Sequence, residues 1–177
     1  MALIKSCRNK TPNIPSTCWL AENATVVGDV TMGENCSIWF NAVVRGDVNS
    51  ISFGNNVNIQ DGAVIHCTYE KTKTILGNNV SVGHNALVHG CLVHDNVRIG
   101  MGAIVMDICV IEENCIIAAG AVLLEGTHVE TGSIFAGIPA KKVKNLSPEL
   151  FKGEVMRIAN NYRMYASWFE EQDTPNS

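Results

Sequence analysis

Charge, aromatic side chains and paired cysteines are all scarce in this chain. Only 17% of its 177 residues are charged, the formal net charge is −4, and no basic run occurs. That excludes the dense positive surface needed to neutralise a phosphate backbone, so no nucleic-acid partner is expected. No apolar stretch reaches the about 20 residues that cross a bilayer, and no membrane partner is expected either. The opening MALIKSCRNKTPNIP lacks the apolar core of a secretory signal. The seven cysteines are odd in number and none forms a CxxC pair, which fits reduced thiols filling small core positions in a cytoplasmic protein.

What the chain has is a rhythm of six. Aliphatic residues recur at Leu20, Val26, Met32, Ile38 and Val44, at Ile59 and Ile65, and at Leu76, Val82 and Val88. The longest run is Val93, Ile99, Val105, Ile111, Ile117, Leu123, Val129 and Phe135. Four residues after most of these stands a small or β-branched side chain, such as Ala24, Cys36, Ala63, Ala86 or Ala121, with Gly and Asn crowding the intervening positions. Six is the period of neither a helix nor a simple alternating strand. It suits a short strand plus a turn, three of which close a triangular coil that stacks into a parallel β-helix. The pattern resembles the left-handed β-helix of hexapeptide-repeat proteins, and the left hand comes from that resemblance, since crossover rules favour the right. The expected fold class is mainly β, over residues 1–140. Residues 141–177 form the second unit. There Ser147 and Pro148 read as a helix start, and Phe151, Val155, Ile158, Tyr162, Tyr165 and Phe169 recur at helical spacing. A helix from about 147 to 171 is expected to lie along the solenoid, followed by a disordered DTPNS tail.

The rhythm breaks at three places: nine residues from Val44 to Phe53, eleven from Ile65 to Leu76 (the loop TYEKTK), and five from Val88 to Val93. Insertions at solenoid corners become loops on one flank, and these breaks surround three histidines. Counting hexads, the sides that begin at Val44, Ile65 and Val88 share one face in successive coils, so Arg45, His66 and His89 form an outward column. Rungs about 4.8 Å apart let His66 and His89 share a metal. His84, two past Val82, lies above Asp61, two past Ile59, beyond a corner. In a three-fold assembly one chain's first column can face its neighbour's second. A site of His66 and His89 from one subunit and His84 from the next is therefore expected, three neutral imidazoles with a position left open. His94 and His128 read as solvated surface.

The stretches VRGDVNSI, NIQDGAVIHC and GHNALVHG resemble the γ-class carbonic anhydrases, over nearly the whole chain from about Leu20. The resemblance implies a homotrimer that hydrates CO2 to bicarbonate with Zn2+, or Fe2+ or Co2+, held by His66, His84 and His89. It implies that Gln60 contacts the reacting water, that Asn58 supports it, and that Arg45, Asp47 and Asp61 form the subunit-interface salt bridges. Tyr162 or Tyr165 is expected to reach the site from the helix. Efficient members carry extra carboxylates for proton export; here Val48 follows Asp47 where such a member has Glu, and TYEKTK offers only Glu70. A weak, proton-limited activity is therefore expected. The rival functions are a hexapeptide acyltransferase using acetyl-CoA, a zinc-dependent CoA-thioester hydrolase on the same site, and a non-catalytic metal-holding subunit.

Overall fold

Short strands and left-handed corners repeat along the chain because each hexad supplies one inward aliphatic and one residue tolerant of positive φ. Asn and Gly fill most of these corners. Asn56, Asn79, Asn96 and Asn114 all have φ between +54° and +59°, a region that Asn occupies at less cost than most residues. Their carboxamides also hydrogen-bond from one coil to the next, at 2.9, 2.9 and 3.2 Å. The structure, a computed structural model, describes residues 1–170.

Three inward columns build the core, one per side of the triangle. The first runs Val26, Val44, Ile65, Val88, Val105 and Leu123 in register. The second is Ile38, Ile59, Val82, Ile99, Ile117 and Phe135. The third is Phe53, Leu76, Val93, Ile111 and Val129. Every one of these side chains is buried, so the hexad positions are the core; Leu20, in the terminal coil, is only half-buried. About seven coils stack this way. The long strand Val43–Phe53 turns a corner as it goes, pairing first with Val64 and Ile65 and then with Thr74 to Leu76. The first rhythm break is thus an extended strand that crosses from one side to the next. All seven cysteines are free, and five of them are buried.

The strand Ala140–Asn145 turns back antiparallel on Ser133–Gly137, so the sheet runs across the division expected at 140/141. Ser147 then caps the helix, accepting a hydrogen bond from the Leu150 amide. The segment begins as α-helix at Pro148–Leu150, widens to π-helix over Phe151–Met156, and continues as α-helix over Arg157–Glu170. The hydrophobic spacing carried no sign of the wide turn. Glu154 in that turn pairs with Arg98 of the solenoid, and Tyr162 and Phe169 pack on Trp39 at ring separations of 5.0 and 5.9 Å. The DTPNS tail lies outside the described residues.

Candidate metal centre

The residue after each inward aliphatic points out of the sheet, because side chains alternate along a strand. His66 follows Ile65 and His89 follows Val88, and the two are register partners on adjacent rungs. Their near nitrogens, His66 Nδ1 and His89 Nε2, lie 3.1 Å apart. Their far nitrogens each meet a carboxylate: His66 Nε2 is 3.0 Å from Asp47 Oδ1, and His89 Nδ1 is 2.8 Å from Asp107 Oδ2. Both carboxylates stay ionised at neutral pH. Burial pushes Asp47 up, but hydrogen bonds from His66 and Arg45 and the Arg45 charge outweigh it and hold it below the ordinary aspartate value. For Asp107 burial is likewise outweighed, by hydrogen bonds from Thr72, His89 and Thr68.

An ionised carboxylate only accepts, so each far nitrogen carries the proton of its imidazole. The near nitrogens of two neutral rings then both carry lone pairs, facing each other across 3.1 Å. That arrangement is repulsive until a proton or a cation sits between them. Two imidazole nitrogens each about 2.0–2.1 Å from a tetrahedral zinc stand roughly 3.3–3.4 Å apart, close to what is observed. The pair therefore fits a metal, and a hydrogen-bonded carboxylate behind each ring is the arrangement that orients a ligating imidazole.

His84 sits around the corner. Its Nδ1 is 2.9 Å from Asp61 Oδ2, so it too is an Nδ1–H imidazole with a lone pair on Nε2. The Tyr162 hydroxyl, 3.2 Å away, donates to that lone pair. Burial first, then the Asp61 charge, raise the Tyr162 phenol to about 12, so it acts as a donor at neutral pH. Tyr165 instead accepts from Asn161 within the helix; of the two tyrosines, Tyr162 is the one that meets a site histidine. Among the described residues, no three His, Cys, Asp or Glu side chains converge to hold a metal ion. A chain by itself presents His66 with His89 on one side and His84 on another.

Asn58 lies in the strand Asn58–Ile59, in register between Ser37 and Ser81 and 2% exposed. Its amide donates to Ser81 Oγ at 2.8 Å, and its carbonyl accepts from the Gln60 amide at 3.0 Å. The relay fixes the Gln60 carboxamide with its nitrogen turned towards Asn58, which leaves the carbonyl end as an acceptor. Arg45 and Asp47 pair within the chain, and Asp61 belongs to His84. Val48 is half-buried against the core, and Glu70 is exposed. Asp107, Thr68 and Thr72 were not anticipated. The signal was available: Asp107 stands two past Val105, one coil beyond His89, as Asp61 stands two past Ile59.

A family model described as bacterial transferase hexapeptide (six repeats) matches residues 90–125. A Methanocaldococcus jannaschii protein named "probable carbonic anhydrase" is 46% identical over 151 residues, covering 85% of this chain and 92% of its own. A Geobacillus kaustophilus carbonic anhydrase is 40% identical, covering 90% and 87%. This chain belongs to the γ carbonic anhydrase family of hexapeptide-repeat proteins. It spans about three fifths of the length of the Arabidopsis thaliana relatives, among them mitochondrial gamma carbonic anhydrase 2, which is 36% identical over 96% of this chain and 61% of its own. The family's fold is shared with a crystal structure of a hexapeptide transferase family protein from Anaplasma phagocytophilum, at TM-score 0.90 and 36% identity over 94% of this chain and 98% of that one. A Bacillus cereus crystal structure, provisionally named an acetyltransferase, matches at TM-score 0.93 and 34% identity over 97% and 99%.

Proposed function

We propose that the protein is a zinc enzyme that hydrates CO2 reversibly to bicarbonate, at a site shared between subunits of a homotrimer, in the cytoplasm. The observation that carries this reading is the facing pair of lone pairs on His66 and His89, each imidazole fixed from behind by its own carboxylate. A bound zinc would act as a Lewis acid that makes water nucleophilic near neutral pH, with Fe2+ or Co2+ able to serve similarly. His66, His89 and a neighbour's His84 would supply the three neutral donors, with the Tyr162 hydroxyl turning off His84 Nε2 to free its lone pair. Gln60, held by Asn58, offers a carbonyl oxygen that accepts a hydrogen bond from the reacting water. Tyr162 supplies a phenol proton beside His84 and so favours an anionic group there.

The trimer is supported by the surface beside the histidines. Val43, Val64, Leu87, Ile104 and Val122 form one outward column in register, with Met106 and Leu124 exposed nearby. An aliphatic stripe along a polar site is the surface a second copy would cover. Arg45, Asp47 and Asp61, which pair within the chain, would flank the contact between such copies.

The names of the structural neighbours favour a second reading, acyl transfer from acetyl-CoA; hydrolysis of a CoA thioester is a third that uses the same donors. Stopped-flow CO2 hydration and thioester cleavage, measured on zinc-loaded and chelator-stripped protein, separate them. Hydration that requires zinc supports the proposal. Zinc-loaded protein that hydrates no CO2 at any buffer concentration would sink it, and light scattering that finds a metal-replete monomer would sink the shared site.

A further inference from the structure

The loop 68–73 joins two coils that a plain hexad turn would have joined, and its threonines converge on one carboxylate. Asp107 accepts on both oxygens: Oδ2 from His89 Nδ1 at 2.8 Å, and Oδ1 from the Thr72 hydroxyl at 2.7 Å and the Thr68 hydroxyl at 3.1 Å. The Thr68 amide donates to Thr72 Oγ1 at 2.9 Å, so that hydroxyl's own proton is free to go to Asp107. Gly90, directly after His89, has φ +53°, a conformation that suits glycine. A Cβ there would stand 2.0 Å from Asp107 Oδ1 and 2.2 Å from Thr72 Oγ1. The short third rhythm break thus leaves room, in the residue after the histidine, for the carboxylate and hydroxyl that serve it.

We propose that Asp107, held by Thr68 and Thr72, is the positioning residue for His89: it fixes the Nδ1–H tautomer and aims the Nε2 lone pair at His66. The inference rests on the metal reading for its effect on zinc, but not for its effect on the tautomer. The imidazole without this acceptor is free to place its proton on Nε2, where it would block coordination. His66 has a different arrangement, in which Asp47 is neutralised by Arg45; around Asp107 neutral hydroxyls do the work, so the carboxylate keeps its full charge for His89. The loop insertion is then part of the site's scaffold, holding a ligand's partner rather than touching substrate.

The test uses the full-length protein labelled with 15N-histidine, with His89→Gln to assign the His89 signals. Long-range proton–nitrogen correlation on metal-free protein reads the tautomer, and competition with a chromophoric chelator reads zinc affinity. Wild type is expected to show His89 as Nδ1–H. Asp107→Ala should shift it towards Nε2–H and weaken zinc binding about 10–100-fold. Asp107→Asn, which keeps an acceptor oxygen, should fall between. Thr72→Val should weaken zinc binding less than Asp107→Ala does, and Thr72→Ser should restore it, which lost packing alone would not do. An unchanged His89 tautomer in folded Asp107→Ala, or Thr72→Ser as damaging as Thr72→Val, would overturn the inference. Wild-type protein that takes up no zinc would overturn the metal reading instead, and the tautomer would still decide this one.

Discussion

Two faces of the same solenoid each display a pair of histidines, and they are built oppositely. On one, His66 and His89 stack on adjacent rungs, only 16% and 25% exposed, with a separate carboxylate behind each ring. On the other, His94 and His128 share a single carboxylate: Glu112 lies 3.6 Å from His94 Nε2 and 2.9 Å from His128 Nε2. Those rings are 42% and 61% exposed. In the first pair the carboxylates take the far nitrogens and leave the near ones facing each other. In the second, a single carboxylate lies against Nε2 of both rings and takes the place between them that a shared cation would fill. Proximity of imidazoles is common to both faces; the side on which the anion lies makes one a donor set and the other a surface charge cluster.

The largest expected effect breaks that comparison outright. His66→Ala, His84→Ala and His89→Ala should each lose most bound zinc, since three neutral donors are needed to hold the metal with a position left open. His94→Ala and His128→Ala should leave zinc content as in wild type, read by metal analysis after gel filtration. Mixing His66→Ala with His84→Ala subunits should restore some sites in hybrid trimers, because one intact face of each type remains. Hybrids that form and stay empty would contradict the shared geometry.

A second effect sharpens the comparison at the carboxylates. Asp47→Ala removes the acceptor behind His66 and should weaken zinc binding about 10–100-fold. Glu112→Ala, an equal loss of charge on the other face, should leave zinc affinity alone. Equal losses in both variants would mean that net charge matters, rather than the direction of one hydrogen bond.

Most of the fold was legible because a period of six leaves few options: each inward aliphatic of the three columns is where counting put it, from Val26 to Phe135. The His66–His89 rung and the separate place of His84 followed from the same count. What counting could not give is how side chains reach between coils. Asp107 is in the next coil from His89, and its role depends on loop threonines whose hydroxyls meet only after the loop folds back. The stacking of His84 over Asp61 did follow from the count, but the pairing of Asp47 with His66 is hidden for the same reason, as is the π-helical turn at Phe151–Met156, which has no distinct hydrophobic signature. Val48 is a further case. Its position beside Asp47 suggested a place for a missing proton acceptor, yet it packs partly against the core.

That placement reshapes a third, smaller effect. Asp47 and Asp107 are held anionic by their hydrogen bonds and are poor proton acceptors, and Glu70 is exposed on its loop. CO2 hydration should therefore rise several-fold with imidazole buffer at constant ionic strength, as proton export passes to solution. Val48→Glu should lower the melting temperature, because it puts a charge against apolar neighbours, and should leave turnover at low buffer unimproved. Fast turnover independent of buffer would remove the proton-export limit altogether.

The smallest expected effect tests the claim that the second face is only a charge cluster. Hydrogen bonding from His128 first, and the charges of His94 and His128, hold Glu112 below the usual glutamate value. A carboxylate whose pKa is depressed on folding stabilises the fold above its unfolded value, near 4.5, and loses that contribution as pH falls through the lower folded value. The group is exposed, so solvent and salt screen the gain. Glu112→Gln should therefore melt close to wild type at pH 7 and indistinguishably from it once the pH is below the folded value. Raising salt should narrow any gap at pH 7. A large loss of melting temperature at pH 7 that salt does not reduce would show that Glu112 anchors the coils, and the two faces would then differ in something other than which imidazole nitrogen meets the anion.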